Sequence, residues 1–321
     1  MQTFVGIDVS KNKLDVCVIF EDDKVRKKVV KNCEYGFASL TNWFTKLDIQ
    51  DPHICMEATG SYSDGIASFL HNLNFRVSVV NPLMIKSFRN SKLVRKKTDS
   101  SDAHVVAAFC KQNKPNLWKP KDPNKKVLHE LFCRMTSLKR GLAQIDNQLE
   151  KLNQIVVKSI LKETEYIKNE LKSLENALTT ILQNNAVIKK EYNLISNIKG
   201  VGAKTALTII ANMPDVSCFK NSKQYVAFAG LSPSHFQSGT SVKCKSHISK
   251  IGSKNVRKVL FMSALCVIRH NSDFAQFVQK MKCRGKAPKV IIVAIMRKLL
   301  CLFFGMLKSK TNFDKNLAFP S

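Results

Sequence analysis

The sequence predicts an α/β region with a mixed sheet, then a long helical arm, then a mostly α-helical and strongly basic C-terminal region. Three observations lead to this prediction. Strand-like and helix-like patterns alternate over residues 1–120, apolar residues recur at heptad spacing within residues 121–193, and basic residues dominate residues 194–321. The 321 residues are therefore expected to form three domains with these boundaries.

Three strand-like segments open the first region, and two helix–strand repeats follow them. The order β-β-β-α-β-α-β favours a mixed sheet flanked by helices. The strand-like segments are FVGIDVS, LDVCVIF, VRKKVVK, HICMEATG and FRVSVV, and the helical ones are residues 36–47 and SDGIASFLHNL.

The arm is predicted from two apolar runs. Residues from Leu128 to Val156 step by three and four, and a second run from Ile167 to Ile181 does the same. Sustained steps of this kind predict a coiled coil. We expect a break within residues 158–165, after which the two helices either fold back as an antiparallel hairpin or pair with another subunit. The arm is expected to serve packing and to associate copies into a dimer or tetramer.

The charge balance indicates the kind of partner. Lys and Arg total 52 against 24 Asp and Glu, which gives a net charge of +28. A polyanionic partner follows, because lysines and arginines that neutralise phosphates release condensed counterions. Between Ser238 and Lys310 there are sixteen basic residues and a single acid, Asp273. This imbalance predicts a phosphate-binding surface on nucleic acid.

Membrane and zinc chemistry are not expected. The longest apolar run, residues 290–307, is interrupted by Arg297 and Lys298, which favours a buried amphipathic helix over a membrane span. The ten cysteines include no Cys-x-x-Cys pair. Cys244 and His247 supply only two ligands, so a zinc site is not predicted. This cysteine usage fits a reducing cytoplasm.

A glycine pair marks the start of the C-terminal region. Gly200 and Gly202 separate two apolar helical patterns, and Lys204 begins the second of them. Glycines at such a turn free backbone N–H groups at a helix start, where a phosphate can bind. This favours a helix-hairpin-helix-like element, although a plain helical turn also needs glycine. Further candidate nucleic-acid-binding residues are Lys243, Lys245, Lys250, Lys254, Arg257 and Lys258.

Four acids form the predicted metal site. Asp99 and Asp102 begin an apolar helix and share one face, because residues three apart are helical neighbours. Asp8 lies within an apolar strand, and Glu57 closes another. A buried carboxylate costs several kcal/mol unless a cation or hydrogen bonds compensate it. The four oxygens suit Mg²⁺ or Mn²⁺, and two such ions about 4 Å apart support phosphodiester cleavage.

These acids have two other interpretations. Acids in a first helical turn complement the helix dipole and need no further purpose. The segment GIDVSK also resembles the first phosphate loop of actin-like and sugar kinases. The second Asp-x-Gly phosphate loop and the glycine-rich adenosine segment of those folds are not found, which disfavours ATP binding. Asp15 and Asp64 are expected to be surface residues.

Together these motifs resemble a known family. Asp8 in GIDVSK, Glu57 in MEATGSY, and Asp99 with Asp102 in KTDSSDA resemble the Asp-Glu-Asp-Asp set of a RuvC-like nuclease domain, which implies an RNase H-like fold. The segments IKGVGAKTA, YVAFAGLSP and QSGTSVKCKSHISKIGSKNVRKVL resemble the C-terminal domain of bacterial insertion-sequence transposases of family one-ten, with its eleven-eleven subgroup. The resemblance covers nearly the whole chain in matching order.

The resemblance implies a reaction and two partners. In this family a serine attacks DNA, and it matches Ser238 in QSGTS, with Ser234 and Ser241 close by and His235 as a loop residue. The metal-bound carboxylates and the serine are then expected to meet in one composite site, within a subunit or across a dimer. A structured non-coding RNA guides the choice of donor and target DNA, in the bacterial cytoplasm at the nucleoid. The alternatives are a junction resolvase that uses metal-activated water and a non-catalytic nucleic-acid-binding protein.

Overall fold

The computed structural model describes residues 3–92, 99–120, 122–148, 154–234, 237–238, 242–243 and 247–315. The chain divides into two compact units, Met1–Pro120 and Lys121–Ser321. The second unit contains both the arm and the C-terminal region, since one hydrophobic core runs from Leu128 to Met306.

The first unit is built on a five-stranded mixed sheet of order β3-β2-β1-β4-β5. The first three strands form an antiparallel meander, whereas β4 and β5 continue the sheet parallel to β1. This confirms the mixed sheet that the sequence predicts. The strands are β1 Phe4–Val9, β2 Lys13–Ile19, β3 Val25–Lys31, β4 His53–Glu57 and β5 Arg76–Val80.

Helices cover both faces of this sheet. The helices are α1 Glu34–Lys46, α2 Ser61–Asn72, α3 Pro82–Ser91 and α4 Asp99–Asn113. Side chains of α1 and α2 share one apolar core with alternate residues of β1 and β2. Side chains of α4 pack with the residues that point the other way, among them Phe4, Cys17 and Cys55. Because side chains alternate along a strand, the same strands contribute to the apolar layers on both faces of the sheet.

A very close approach fixes α4 on the sheet. A Cβ atom at Gly6 would lie 2.2 Å from the carbonyl oxygen of Ala103 and 2.2 Å from the amide nitrogen of Ala107. The helix backbone therefore rests directly on β1 at this point. Only glycine on the strand, with alanines on the helix, leaves room for this contact.

The second unit is mostly α-helical, as predicted. Its helices are α5 Pro123–Gln148, α6 Gln154–Asn184, α7 Ala186–Ser196, α8 Ala203–Asn212, α9 Ser222–Phe228, α10 Lys254–His270, α11 Ala275–Cys283 and α12 Pro288–Ser309. Its described residues also include short strands: β6 Pro233–Ser234, β7 Gln237–Ser238, β8 Val242–Lys243 and β9 His247–Ile248. Helix α12 is long and apolar enough to cross a membrane by length and composition, and eight of its side chains are buried in the core of this unit.

The arm folds back on itself as an antiparallel pair of helices. Lys139 Nζ lies 3.1 Å from Glu175 Oε1, and nearer the base Lys125 Nζ lies 2.8 Å from Glu191 Oε1, so the partners run in opposite directions. The predicted break within residues 158–165 is wrong, because α6 is continuous through it. The seam also ends before Val156, which is 45% exposed.

Gly6→Ala should lower the free energy of unfolding of the first unit by about 3 kcal/mol or more, because the added methyl group forces α4 off the strand. Both tryptophans, Trp43 and Trp118, lie in this unit, so their fluorescence during urea unfolding of the full chain reports it alone. Gly65→Ala is the matched control. Its Cβ would meet only ordinary contacts at 3.7 Å, and an alanine within α2 should stabilise the unit by about 0.5 kcal/mol. Equal effects of the two substitutions would contradict the close approach.

Candidate carboxylate centre and serine hairpin

Three acids lie side by side across the sheet. Asp8 on β1 is directly opposite Asp15 on β2, and the parallel register that pairs Ile7 with Met56 brings Glu57 to the other side of Asp8. Residues two apart on a strand point to the same face of the sheet, so the neighbours of each acid show where its side chain points. Gly6 contacts α4, and Cys17 and Cys55 pack with residues of α4. All three acids therefore point toward the face that α4 covers.

The direction of α4 brings two more acids to the same end of the sheet. The Cys110 thiol, near the C-terminus of α4, donates to the carbonyl oxygen of His53 at the start of β4, at 3.4 Å. The N-terminus of α4, with Asp99 and Asp102, consequently lies toward the carboxyl ends of β1 and β4. The four predicted acids thus share one end and one face of the sheet, although the side chain of Asp99 lies outside the described part of the chain.

Asp15 is not the surface residue that the sequence analysis expects. Asp15 is only 5% exposed, and Asp64, the other expected surface residue, is half-buried. Lys13 Nζ lies 3.1 Å from Asp15 Oδ2, but that oxygen has no hydrogen-bond partner among the described residues. The ammonium group therefore compensates its charge at ion-pair distance without the alignment of a hydrogen bond. Asp15 lies within the apolar segment LDVCVIF, as Asp8 lies within FVGIDVS. The cost of burying an acid in an apolar strand therefore marks both residues equally.

Asp102 is bound to an arginine. Asp102 Oδ1 lies 2.6 Å from Nη2 of Arg89 on α3, and both side chains are 17% exposed. Ser101 Oγ donates to the same oxygen at 3.3 Å. Within the described residues no three His, Cys, Asp or Glu side chains lie close enough together to hold a metal ion. The acids lie at one end of the sheet, and Arg89 forms an ion pair with one of them, Asp102.

The donor chemistry of this end of the sheet fits a hard divalent cation. All candidate ligands are carboxylate oxygens, the type that Mg²⁺ and Mn²⁺ prefer. Asp15 adds a buried oxygen that accepts no hydrogen bond from the described part of the chain. His104 follows Asp102 by two residues on α4, and its charged form is disfavoured. Burial, and secondarily the charge of Lys27, lower the pKa of His104 below its ordinary value.

In the second unit, Ser238 lies in a small β-hairpin. Ser238 on β7 is opposite Val242 on β8, so three residues connect the two strands at the tip. The outer strands β6 and β9 pair before and after this hairpin. The side chains of Ser238 and Lys243 lie outside the described part, as do the predicted residues His235, Gly239, Ser241, Cys244 and Lys245.

The base of the hairpin is fixed by two glycines and an arginine. A Cβ at Gly252 would lie 2.2 Å from the carbonyl oxygen of Phe228, and Gly230 has a φ of +75° that favours glycine. Arg257 Nη1 donates to the carbonyl oxygens of Ala229 and Gly252, at 3.1 and 2.9 Å. The guanidinium of Arg257 thus holds two backbone segments together. Lys250, Lys254 and Lys258 are exposed.

The two glycines before α8 have different roles. Gly200 has a φ of +96°, and a Cβ there would lie 2.9 Å from the backbone nitrogen of Val267, so packing against α10 requires it. Gly202 borders open space and precedes α8 without a side-chain cap. Gly202 and Lys204 are exposed, which leaves the start of α8 accessible.

Comparison with known proteins identifies the class of molecule. A family model for DEDD-type transposases of IS110 matches residues 5–157, and a model described as "Transposase IS116/IS110/IS902 family" matches residues 192–279. The pilin gene-inverting protein of Moraxella bovis is 32% identical over 320 residues, which is 98% of this chain and 99% of that protein. The transposase for insertion sequence element IS1111A of Coxiella burnetii is 24% identical over 296 residues, 83% of this chain and 78% of that protein.

The chain belongs to the IS110 family of transposases. Its first unit accordingly has an RNase H-like fold, and the five-stranded mixed sheet agrees with it. The family consists of enzymes that rearrange DNA, so the resemblance that the motifs predict is confirmed at this level.

Asp15→Asn should raise the free energy of unfolding of the metal-free first unit by about 1 kcal/mol. The neutral amide is isosteric, removes like-charge repulsion with Asp8, and avoids the cost of burying a charged carboxylate. Urea unfolding followed by tryptophan fluorescence in EDTA measures the change. Asp22→Asn, in the exposed pair with Lys24 at 2.8 Å, is the control and should change stability little. A loss of stability in Asp15→Asn would mean that the pair with Lys13 is net stabilising.

Proposed function

We propose that this protein cleaves and exchanges DNA strands during the movement of an insertion sequence, by metal-dependent transesterification through a serine. The observation that supports this most directly is the row of carboxylates at one end of the RNase H-like sheet. A chain with a net charge of +28 gathers acids there, which is the opposite of what phosphate binding alone requires.

Asp8, Glu57, Asp99 and Asp102 are assigned to hold Mg²⁺ or Mn²⁺. When bound, the metal polarises the scissile phosphate and stabilises the leaving oxygen. The carboxylates orient the cation through the rigid strand ends and the first turn of α4. Asp15 lies in the same row and adds negative potential beside Asp8. A rigid sheet is a suitable support, because misplacement by 1 Å costs about 10²-fold in rate.

Ser238 is assigned as the nucleophile. Its Oγ forms a bond to phosphorus while the bond from phosphorus to a deoxyribose oxygen breaks, and the proton of the hydroxyl passes to solvent or to a basic group. The number of phosphodiester bonds is unchanged, so the step is reversible and needs no external energy source. Strand exchange then replaces the serine by the hydroxyl of a new strand. The hairpin that carries Ser238, with its base fixed by Gly230, Gly252 and Arg257, supports this assignment.

Basic residues of the second unit are assigned to bind the nucleic-acid backbone. The accessible start of α8, with Gly202 and Lys204, presents N–H groups and a positive charge, as in a helix-hairpin-helix element. Gly200 contributes through packing. The remaining assigned residues are Lys243, Lys245, Lys250, Lys254 and Lys258, with Arg257 supporting the loop.

Two partners besides DNA belong to the proposal. A structured non-coding RNA guides the choice of donor and target DNA, in keeping with the family and with the excess of basic charge. The protein also forms a dimer or tetramer through its arm. The heptad side chains Ile167 and Leu171 are buried within the chain, so a coiled-coil contact with another copy has to use exposed residues such as Leu161 and Tyr166. The reaction takes place on the bacterial nucleoid in the cytoplasm.

Asp8→Asn, Glu57→Gln, Asp99→Asn and Asp102→Asn should each reduce strand cleavage by about 10²-fold or more, because each removes a charge that stabilises the transition state through the metal. DNA affinity at fixed salt should change little. Cleavage of labelled element ends with and without EDTA provides the measurement. Asp51→Asn, at the opposite end of the sheet, is the matched control. Full cleavage in EDTA, or in Asp102→Asn, would rule out the metal assignment and favour a non-metal or purely binding role.

Ser238→Ala should still bind DNA and RNA but form no covalent protein–DNA adduct and no recombinant product. Trapping the reaction on labelled DNA and mapping the modified peptide identifies the nucleophile. Ser234→Ala and Ser241→Ala are the controls and should retain the adduct. An adduct at either of these serines would move the nucleophile without changing the mechanism. Cleavage without any adduct would mean that water attacks, which is the resolvase alternative.

A further inference from the structure

Acids that converge at one end of a sheet repel one another until a cation reaches them. We infer that Arg89 is a positioning residue and a built-in counter-cation, which holds Asp102 apart from the other carboxylates until a divalent cation displaces it. This inference rests on the proposed metal-binding role of the carboxylates, because it concerns the same site before the metal arrives.

The position of Arg89 is set by the packing of α3 on α4. Ile85, one turn earlier on the same face, is fully buried with side chains of α4. Phe88 packs edge-on against Phe109 of α4, with ring centroids 5.5 Å apart. The Asn81 side chain caps the start of α3 by accepting a hydrogen bond from the Leu83 N–H at 2.9 Å. The guanidinium is therefore delivered to Asp102 by a helix that cannot shift independently of α4.

The contact between Arg89 and Asp102 is short but incomplete. One nitrogen, Nη2, lies 2.6 Å from Oδ1, while the buried Nε of Arg89 has no hydrogen-bond partner among the described residues. Arginine binds carboxylates most strongly through two parallel N–H···O bonds, and Nε does not contribute one among the described residues. Both side chains also keep 17% exposure, so a hydrated cation can reach Asp102. An incomplete and accessible pair is suited to exchange.

A consequence for metal affinity follows from linkage. A contact that must break before a ligand binds lowers the ligand's affinity by the free energy of that contact. Removing Arg89 should therefore tighten metal binding and, in the absence of metal, deprive Asp102 of its cationic partner. A residue that only supports the fold would weaken metal binding when removed. The two roles thus predict changes of opposite sign.

Lys13 provides a second, weaker case of the same arrangement. Its ammonium lies 3.1 Å from Asp15, but the Lys13 side chain is 45% exposed, so water screens the pair. Its removal should change metal affinity in the same direction by a smaller factor. Arg76 forms a comparable pair with Asp51 at 3.1 Å, at the start of β5 and away from the carboxylate row. Its removal should have no effect on metal binding.

The experiment measures Mn²⁺ binding to the full-length protein by electron paramagnetic resonance of free Mn²⁺. Arg89→Gln should tighten Mn²⁺ binding about tenfold, Lys13→Gln about twofold, and Arg76→Gln not at all. Arg89→Lys keeps the charge and should lie between wild type and Arg89→Gln. Tryptophan fluorescence in EDTA should place the urea midpoint of Arg89→Gln below that of wild type, and added Mn²⁺ should restore it.

The outcomes separate this inference from the proposed function. If the wild type binds no Mn²⁺ and cleaves DNA in EDTA, the metal assignment itself is wrong. If the wild type binds Mn²⁺ but Arg89→Gln binds it equally or more weakly, only the role of Arg89 is wrong. Should Arg89→Gln fail to fold, Arg89→Lys and Lys13→Gln still have to tighten binding, and unchanged affinity in both would overturn the inference.

Discussion

Placing several negative charges at one end of an otherwise apolar sheet is the constraint on which the first unit depends. Asp8 is on the central strand, and its neighbours on both sides, Asp15 and Glu57, carry the same charge on the same face. Such a row is unfavourable in a buried setting unless cations compensate it. The chain supplies two of them itself, Lys13 on β2 and Arg89 on α3.

The rest of the first unit keeps this polar end apart from the core. Direct contact of α4 with β1 at Gly6 covers the acid-bearing face with Ala103, which directly follows Asp102, and with Ala107 about one turn further on. Apolar side chains fill the layer from there toward the start of β4. The polar end stays accessible because α4 begins there. The middle of α4 thus packs on the sheet, and the N-terminus of α4 carries acids. A shift of α4 would therefore disturb both the stability of the unit and the candidate site.

In the second unit, the motifs that identify the family serve mainly to pack the chain. Gly200 allows α10 to approach, Gly252 allows residue 228 to approach, and Arg257 ties two loops together. The heptad side chains of the arm likewise fill the core of their own unit. Among the residues assigned to nucleic acid, this packing leaves Gly202, Lys204, Lys250, Lys254 and Lys258 exposed.

The sequence by itself determined the order of the five strands and of helices α1, α2 and α4 in the first unit, the helical character of the second, and the four acids of the candidate site. These follow from local periodicity and from the cost of an acid within an apolar strand, both of which are visible along the chain. Helix α3 was not predicted. The tertiary structure alone decided three further points. Asp15 is buried beside Asp8 because of the β1–β2 register, Asp102 is paired because α3 packs on α4, and the arm closes on itself. Each depends on residues distant in sequence, whose contacts no local pattern specifies.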